Sequence, residues 1–124
     1  MAGAGRGFRK VELILLACAE RDGHWNCVYC GTALAGLDAT EGTVEYPARW
    51  YDVCPDGSHC SSPCWHASFM VAAPGYEWPV SDHVMPRVRG GGDELANRAN
   101  ACRRCNSVKG SKLLSELSPD WSRR

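Results

Sequence analysis

Two Cys-x-x-Cys pairs, Cys27 with Cys30 and Cys102 with Cys105, stand near opposite ends of a 124-residue chain. In each pair a tight turn, followed in the first by Gly31, can aim two thiolates at one ion while backbone amides stabilise the charge on sulfur. A lone pair of this kind is also compatible with a redox site. Here no strand-then-helix context follows Cys30 and a second pair lies downstream, so the reading is one tetrahedral four-thiolate zinc site. Such a site ties the start of the chain to its end, whatever lies between.

The length corresponds to a single domain of about one core, and a core that small benefits from a staple. The eight cysteines are the obvious staple. The apolar run 13–19 is short, is flanked by Lys10, Glu12, Glu20 and Arg21, and resembles neither a secretory signal nor a membrane span of roughly 18 residues. The chain is therefore read as cytoplasmic, without a membrane partner, where thiols stay reduced and hold metal more often than each other.

A formal net charge of zero argues against a nucleic-acid partner only until its distribution is read. From His83 onward there are nine Lys or Arg against four acids; from Asp22 to Asp82 there is one base, Arg49, against eight acids. A polyanion would meet the C-terminal third, helped by Arg6, Arg9 and Lys10. The competing reading is a merely solvated charged face.

Residues 1–9 read as a disordered basic arm, and Lys10 to Arg21 as a helix, with Val11, Ile14, Leu15 and Cys18 at helical spacing and Gly23 as its stop. Cys18 belongs to that apolar face as a buried thiol. Residues 32–76 form a long insertion. Within it, 43–51 is β-prone and reads as a strand pair broken at Pro47, while 52–66 is a turn-rich loop. Cys54, Cys60 and Cys64, with His66 or His59, are one reading of a second zinc site; free or buried thiols and a disulfide are the others. Trp78 and Val80 alternate with polar residues as a short strand does, and Met85-Pro86 ends it. Gly90, Gly91 and Gly92 make a wide loop that lacks the Lys-Ser/Thr ending of a nucleotide loop. A second strand is expected over 97–102, then a helix through Lys109 that Gly110 interrupts, and a frayed tail over 118–124.

These residues, taken in order, resemble a known family. Cys27-x-x-Cys30, Asp82-His83-Val84-x-Pro86, Gly90-Gly91, Asp93, Asn97 and Cys102-x-x-Cys105-Asn106-x-x-Lys109-Gly110 are similar to the zinc-braced HNH endonucleases of bacteria and their phages. The resemblance covers roughly 10–114, apart from the long insertion. It departs from the family pattern at Asn106, where a histidine is frequent, which makes this an HNN form with an oxygen ligand in place of a nitrogen. The resemblance implies an α+β fold of the ββα-metal (His-Me finger) type, braced by the four-cysteine zinc. It implies that His83 is the general base, that Asp82 and Asn106 hold a catalytic Mg²⁺ or Mn²⁺, and that Asn97 orients the His83 imidazole. DNA, double-stranded, is the implied substrate, and phage or mobile-element proteins are the expected partners.

The chemistry of the residues is consistent with that assignment. Phosphodiester hydrolysis needs an activated water and charge stabilisation at phosphorus and at the leaving oxygen. Histidine suits the base near neutral pH, and a carboxylate with an amide oxygen makes a hard donor set. Asp82 and His83 are neighbours, and on a strand neighbours point to opposite faces, so a shared site requires the strand to end or kink there. Arg87, Arg89, Arg98, Arg103, Arg104, Lys109 and Lys112 are the candidate phosphate contacts. With no recognition helix or finger array evident, little sequence specificity is expected. The alternative is a zinc-stabilised DNA-binding module without catalysis.

Overall fold

The computed structural model describes residues 6–37, 41–55 and 62–123. His59 and Cys60, both candidates for the second metal site, fall outside them. The chain divides into two compact units, Met1–Leu34 with Glu77–Arg124, and Ala35–Tyr76. The insertion read from the sequence is thus compact in its own right.

In the first unit the opening helix, α1 (Arg6–Asp22), begins four residues earlier than its apolar spacing indicated, so the expected arm is shorter. Leu15 and Cys18, one turn apart, are its buried residues, at 2% and 0% exposure, whereas Val11 lies outside that face. Gly23 closes the helix: its amide bonds the Ala19 carbonyl at 2.8 Å and its φ of +80° is the left-handed conformation that favours glycine. Two-residue β1 (Ala33–Leu34) pairs with β6 (Tyr76–Glu77).

The first unit is built on an antiparallel pair, β7 (Pro79–His83) and β8 (Arg98–Cys102), followed directly by α2 (Arg103–Lys109). The register sets Ser81 opposite Asn100, Asp82 opposite Ala99 and His83 opposite Arg98. Side chains alternate, so Ser81, His83, Arg98 and Asn100 share one face and Val80, Asp82, Ala99 and Ala101 the other. Helix α1 covers the first face, where Asn100 Nδ2 donates to the Leu15 carbonyl at 2.9 Å. The second face buries Ala101, Cys102, Cys105, Cys27 and Leu34, with Trp25, Tyr29, Val80 and Trp121 packed around them.

The tail does not fray. A short 3₁₀ turn, Trp121–Arg123, sets Trp121 against Tyr29 with ring centroids 5.1 Å apart, and Ser122 Oγ donates to the Tyr29 carbonyl at 2.9 Å. A Trp near the C-terminus thus supplies core that so short a chain otherwise lacks.

In the second unit β2 (Thr43–Tyr46) and β3 (Arg49–Tyr51) are the strands expected on either side of Pro47, but they do not pair with each other. β2 pairs with β5 (Phe69–Ala72) and β3 with β4 (Cys64–His66), so that one antiparallel register runs from Thr43↔Ala72 to Tyr51↔Cys64. The break falls at Pro47, which has no amide to give to a ladder. Part of the stretch read as loop, 64–66, is therefore strand. Among the described residues no helix is long and apolar enough to cross a membrane.

Leu15 is buried, at 2% exposure, in the helix that covers the strand pair. Leu15→Ala is expected to destabilise the chain by about 2–5 kcal/mol, read from the urea midpoint. A change within about 0.5 kcal/mol, typical of a surface position, would show α1 to be undocked.

Candidate active site

The four cysteines of the two pairs meet. Cys27, Cys30, Cys102 and Cys105 have sulfurs all within 4.8 Å of one another, and three of the four residues are fully buried. Tetrahedral bonds of about 2.3 Å give a sulfur–sulfur edge of about 3.8 Å; Cys30 and Cys102 Sγ are 3.8 Å apart. Backbone amides already face the sulfurs: Tyr29 and Cys30 N–H donate to Cys27 Sγ at 3.4 and 3.5 Å, and Cys105 N–H to Cys102 Sγ at 3.3 Å. Burial pushes the Cys102 thiol up to about 11 and drives Cys105 in the same direction. Burial opposes ionisation of Cys30 as well, but hydrogen bonds from Thr32 and the neighbouring thiols outweigh it and bring Cys30 down to about 6. A divalent ion is what allows all four to be thiolates at once, and the donor set fits zinc.

Asp82 and His83, the last two residues of β7, point apart as alternation dictates. Asp82 is 5% exposed on the α2 face, where its Oδ2 accepts from the Tyr29 hydroxyl at 2.6 Å. Burial, then this hydrogen bond, raises the Tyr29 phenol, which stays protonated and donates. Lys109 is wholly buried beside it, with Nζ 3.3 Å from Oδ2 and 3.5 Å from Oδ1, and donates to the His83 carbonyl at 3.0 Å. Lys109 is therefore not a surface phosphate contact. The sequence left Tyr29 and Lys109 unassigned to Asp82, although Lys109 falls one turn after Asn106 on a helix that must face β7.

His83 lies on the other face. Its Nε2 is 2.7 Å from Asp93 Oδ1 and 3.0 Å from Arg98 Nη1. One ring nitrogen cannot both donate to a carboxylate and accept from a guanidinium, and the shorter contact requires a proton on Nε2. Arg98 then spends its hydrogen bonds on Ser81 Oγ, at 2.7 and 3.1 Å, and approaches Asp93 at 3.6 Å. A neutral imidazole protonated at Nε2 has its lone pair on Nδ1. The hydrogen bond from His83, then the charge of Arg87, holds the Asp93 carboxyl below its ordinary value. Arg98 is 9% exposed, so it too is a component of the His83 surroundings and not an exposed phosphate contact.

Asn97 does not touch the imidazole. Its Oδ1 accepts from the Met85 amide at 2.8 Å and its Nδ2 donates to the Met85 and Gly92 carbonyls at 3.0 and 2.9 Å, which knots the β7–β8 loop. Gly91 belongs to that knot: a Cβ there would stand 1.7 Å from the Met85 carbonyl oxygen. The glycine run thus closes the loop that holds Asp93. Asp93, and not Asn97, hydrogen-bonds the His83 imidazole, while Asn97 bonds the backbone of the loop that carries Asp93.

Asn106 is half-buried one turn before Lys109 and so on the same side of α2. Its side-chain amide makes no hydrogen bond among the described residues. Asp82 Oδ1, nearly buried, has no partner closer than the 3.5 Å contact to Lys109, which is long for a charge-assisted bond. An under-satisfied carboxylate oxygen and an uncommitted amide fit a hard divalent ion. Among the remaining basic residues, Arg89 is held by Glu116 through two bonds of 2.9 and 3.0 Å, and Arg104 donates to the Ser122 carbonyl at 2.9 Å. Arg87, Arg103 and Lys112 are exposed.

Comparison with known families agrees with the resemblance read from the sequence: residues 80–122, from β7 through α2 to the docked tail, match a family model described as HNH endonuclease. No curated protein and no solved structure matches the chain.

Removing the cation beside a nearly buried carboxylate is costly, so Lys109→Met is expected to destabilise the chain by about 3–5 kcal/mol in denaturant unfolding. A surface phosphate contact would lose almost nothing. Asp93 gives a pH test. Its folded value lies below the unfolded 3.8, so the contribution of the His83–Asp93 contact is complete above 3.8 and is lost as pH falls through the lower folded value. An NMR titration of Asp93 should have its midpoint below 3.8 in the native chain and move up toward that value in His83→Ala, with Arg87 and Arg98 still lowering it.

Proposed function

We propose that the chain is a metal-dependent DNA endonuclease with His83 as its general base. The observation that carries this reading is the hydrogen bond between His83 Nε2 and Asp93 at 2.7 Å, at the end of a strand whose previous residue is the buried Asp82. A binding module without catalysis has no use for an imidazole whose tautomer is fixed by a carboxylate. The match of this segment to HNH endonucleases, whose activity requires divalent ions, supports the same conclusion.

His83 Nδ1 takes a proton from water as the water oxygen bonds to phosphorus; the phosphorus–oxygen bond to the leaving sugar breaks, and the leaving alkoxide takes a proton from solvent. Asp93 keeps the ring in the tautomer that leaves Nδ1 basic, and stabilises the imidazolium that forms. Arg98, anchored by Ser81, keeps Asp93 from swinging away and adds positive charge near the phosphate. Asp82 and Asn106 would hold a Mg²⁺ or Mn²⁺ ion, which supplies charge stabilisation at phosphorus and at the leaving oxygen. Arg87, Arg103 and Lys112 bind backbone phosphates and read no sequence. The four-cysteine site holds zinc and has no part in the chemistry.

The test is conversion of supercoiled plasmid to nicked or linear DNA with Mg²⁺ or Mn²⁺, with EDTA as control. His83→Ala is expected to lower the rate by about 100-fold or more at unchanged zinc content, and Asp93→Asn by about 10-fold or more. Undiminished cutting by His83→Ala removes the base assignment. Tight DNA binding by a native chain that never cuts, in either metal, would establish the non-catalytic module instead.

A further inference from the structure

The second unit has its own cluster of side chains able to hold a metal ion. Cys54 Sγ, Cys64 Sγ and a His66 ring nitrogen all lie within 4.8 Å of one another, with Cys54 Sγ 3.2 Å from His66 Nε2. We propose that Cys54, Cys64 and His66 bind a second zinc ion, which forms the core of the insertion and makes it a metal-folded module.

The backbone explains the convergence. Cys64 and His66 are two apart on β4 and so share a face; Trp65 between them points out, at 53% exposure, opposite the likewise exposed Trp50. Cys64 lies opposite Tyr51 in the register, and Cys54 follows three residues after the end of β3. The inward face of the hairpin is therefore assembled from Tyr51, Cys54, Cys64 and His66, with Tyr46 and Phe69 packed against it.

Three arguments favour metal there. The unit, Ala35–Tyr76, is of a size at which about 40 residues seldom fold without a disulfide, a metal or a partner. Among the described residues its buried apolar ones are Tyr51, Val71, Ala35 and the two cysteines themselves. A disulfide would use both sulfurs and leave the imidazole nitrogen against one of them without purpose, and no disulfide joins Cys54 to Cys64. With bonds of about 2.3 Å to sulfur and about 2.0 Å to nitrogen, a tetrahedral zinc sets sulfur and nitrogen about 3.5 Å apart. The observed 3.2 Å is close to that edge and needs only a small opening to admit the ion. Two thiolates and an imidazole are the borderline-soft donors that zinc takes in place of Mg²⁺ or Ca²⁺.

Elemental analysis of the full chain, purified without chelator, tests this. Two zinc ions per chain are expected in the native protein and one in Cys64→Ser and in His66→Ala; one zinc in the native protein overturns the proposal, whether or not the variants fold. Refolding the native chain with Co²⁺ gives a second reading. Two equivalents should bind, with His66→Ala losing the half of the visible absorption that reports a mixed sulfur–nitrogen site. A single equivalent contradicts the proposal. Titration of thiols in denaturant without reductant should find all eight cysteines of the sequence free; six would make the pair a disulfide and end the metal assignment.

Discussion

Everything in the first unit depends on four sulfurs meeting at one point. Cys27 and Cys30 sit at the turn after α1, and Cys102 and Cys105 at the junction of β8 with α2. Bringing them together closes a long loop, an entropic cost that a few hydrophobic contacts in so short a chain would struggle to meet. Zinc bound to thiolates contributes its binding energy directly to folding. The cluster fixes where α2 begins, and so which face of the helix meets β7. Lys109 and Asn106 follow from that choice, as does the Tyr29 hydroxyl, which belongs to the first knuckle and reaches Asp82 at 2.6 Å.

The consequence is a strand end with two chemistries. Asp82 and His83 are adjacent in sequence and leave opposite faces of β7 at the point where the strand ends. On one side is a nearly buried carboxylate held by a phenol and a lysine; on the other is an imidazole held by Asp93 and flanked by Arg98. Each of the two groups thus has its own neighbours, and its ionisation is set by them separately. The β7–β8 loop belongs to the second half. Asn97 and Gly91 hold its backbone in the one shape that returns Asp93 to the imidazole.

Much of this was legible in the residues. The spacing of the cysteines gave the clamp, the apolar period gave α1, and Asp82-His83 with Cys105-Asn106 gave the two elements that frame the site. What was not legible has a common physical cause: sequence displays a charge but not whether it is buried. Arg98 and Lys109 read as part of a basic surface, and both are interior: Lys109 meets Asp82 from a distant part of the chain, and Arg98 is turned inward onto Ser81 and Asp93. Asn97 was matched to the imidazole by family pattern, yet a short amide near a glycine turn finds backbone partners first. The strand pairings of the insertion were hidden for a related reason. Residues 43–51 carry strand propensity, but propensity does not name a partner, and the partner 64–72 lies across a turn-rich stretch that masks it. Trp121, in a stretch that reads as a loose tail, packs against the core because the core is small.

The thiolate clamp sets the strand end that carries His83. Native-state amide hydrogen exchange, with zinc bound and after its removal by a chelator, tests that claim most directly. Removal is predicted to abolish protection together in 27–30, 79–83 and 98–109, since those segments are held as one piece. Protection that survives in β7, β8 and α2 while the first knuckle opens would contradict it, and would make the zinc an accessory to a site that stands without it.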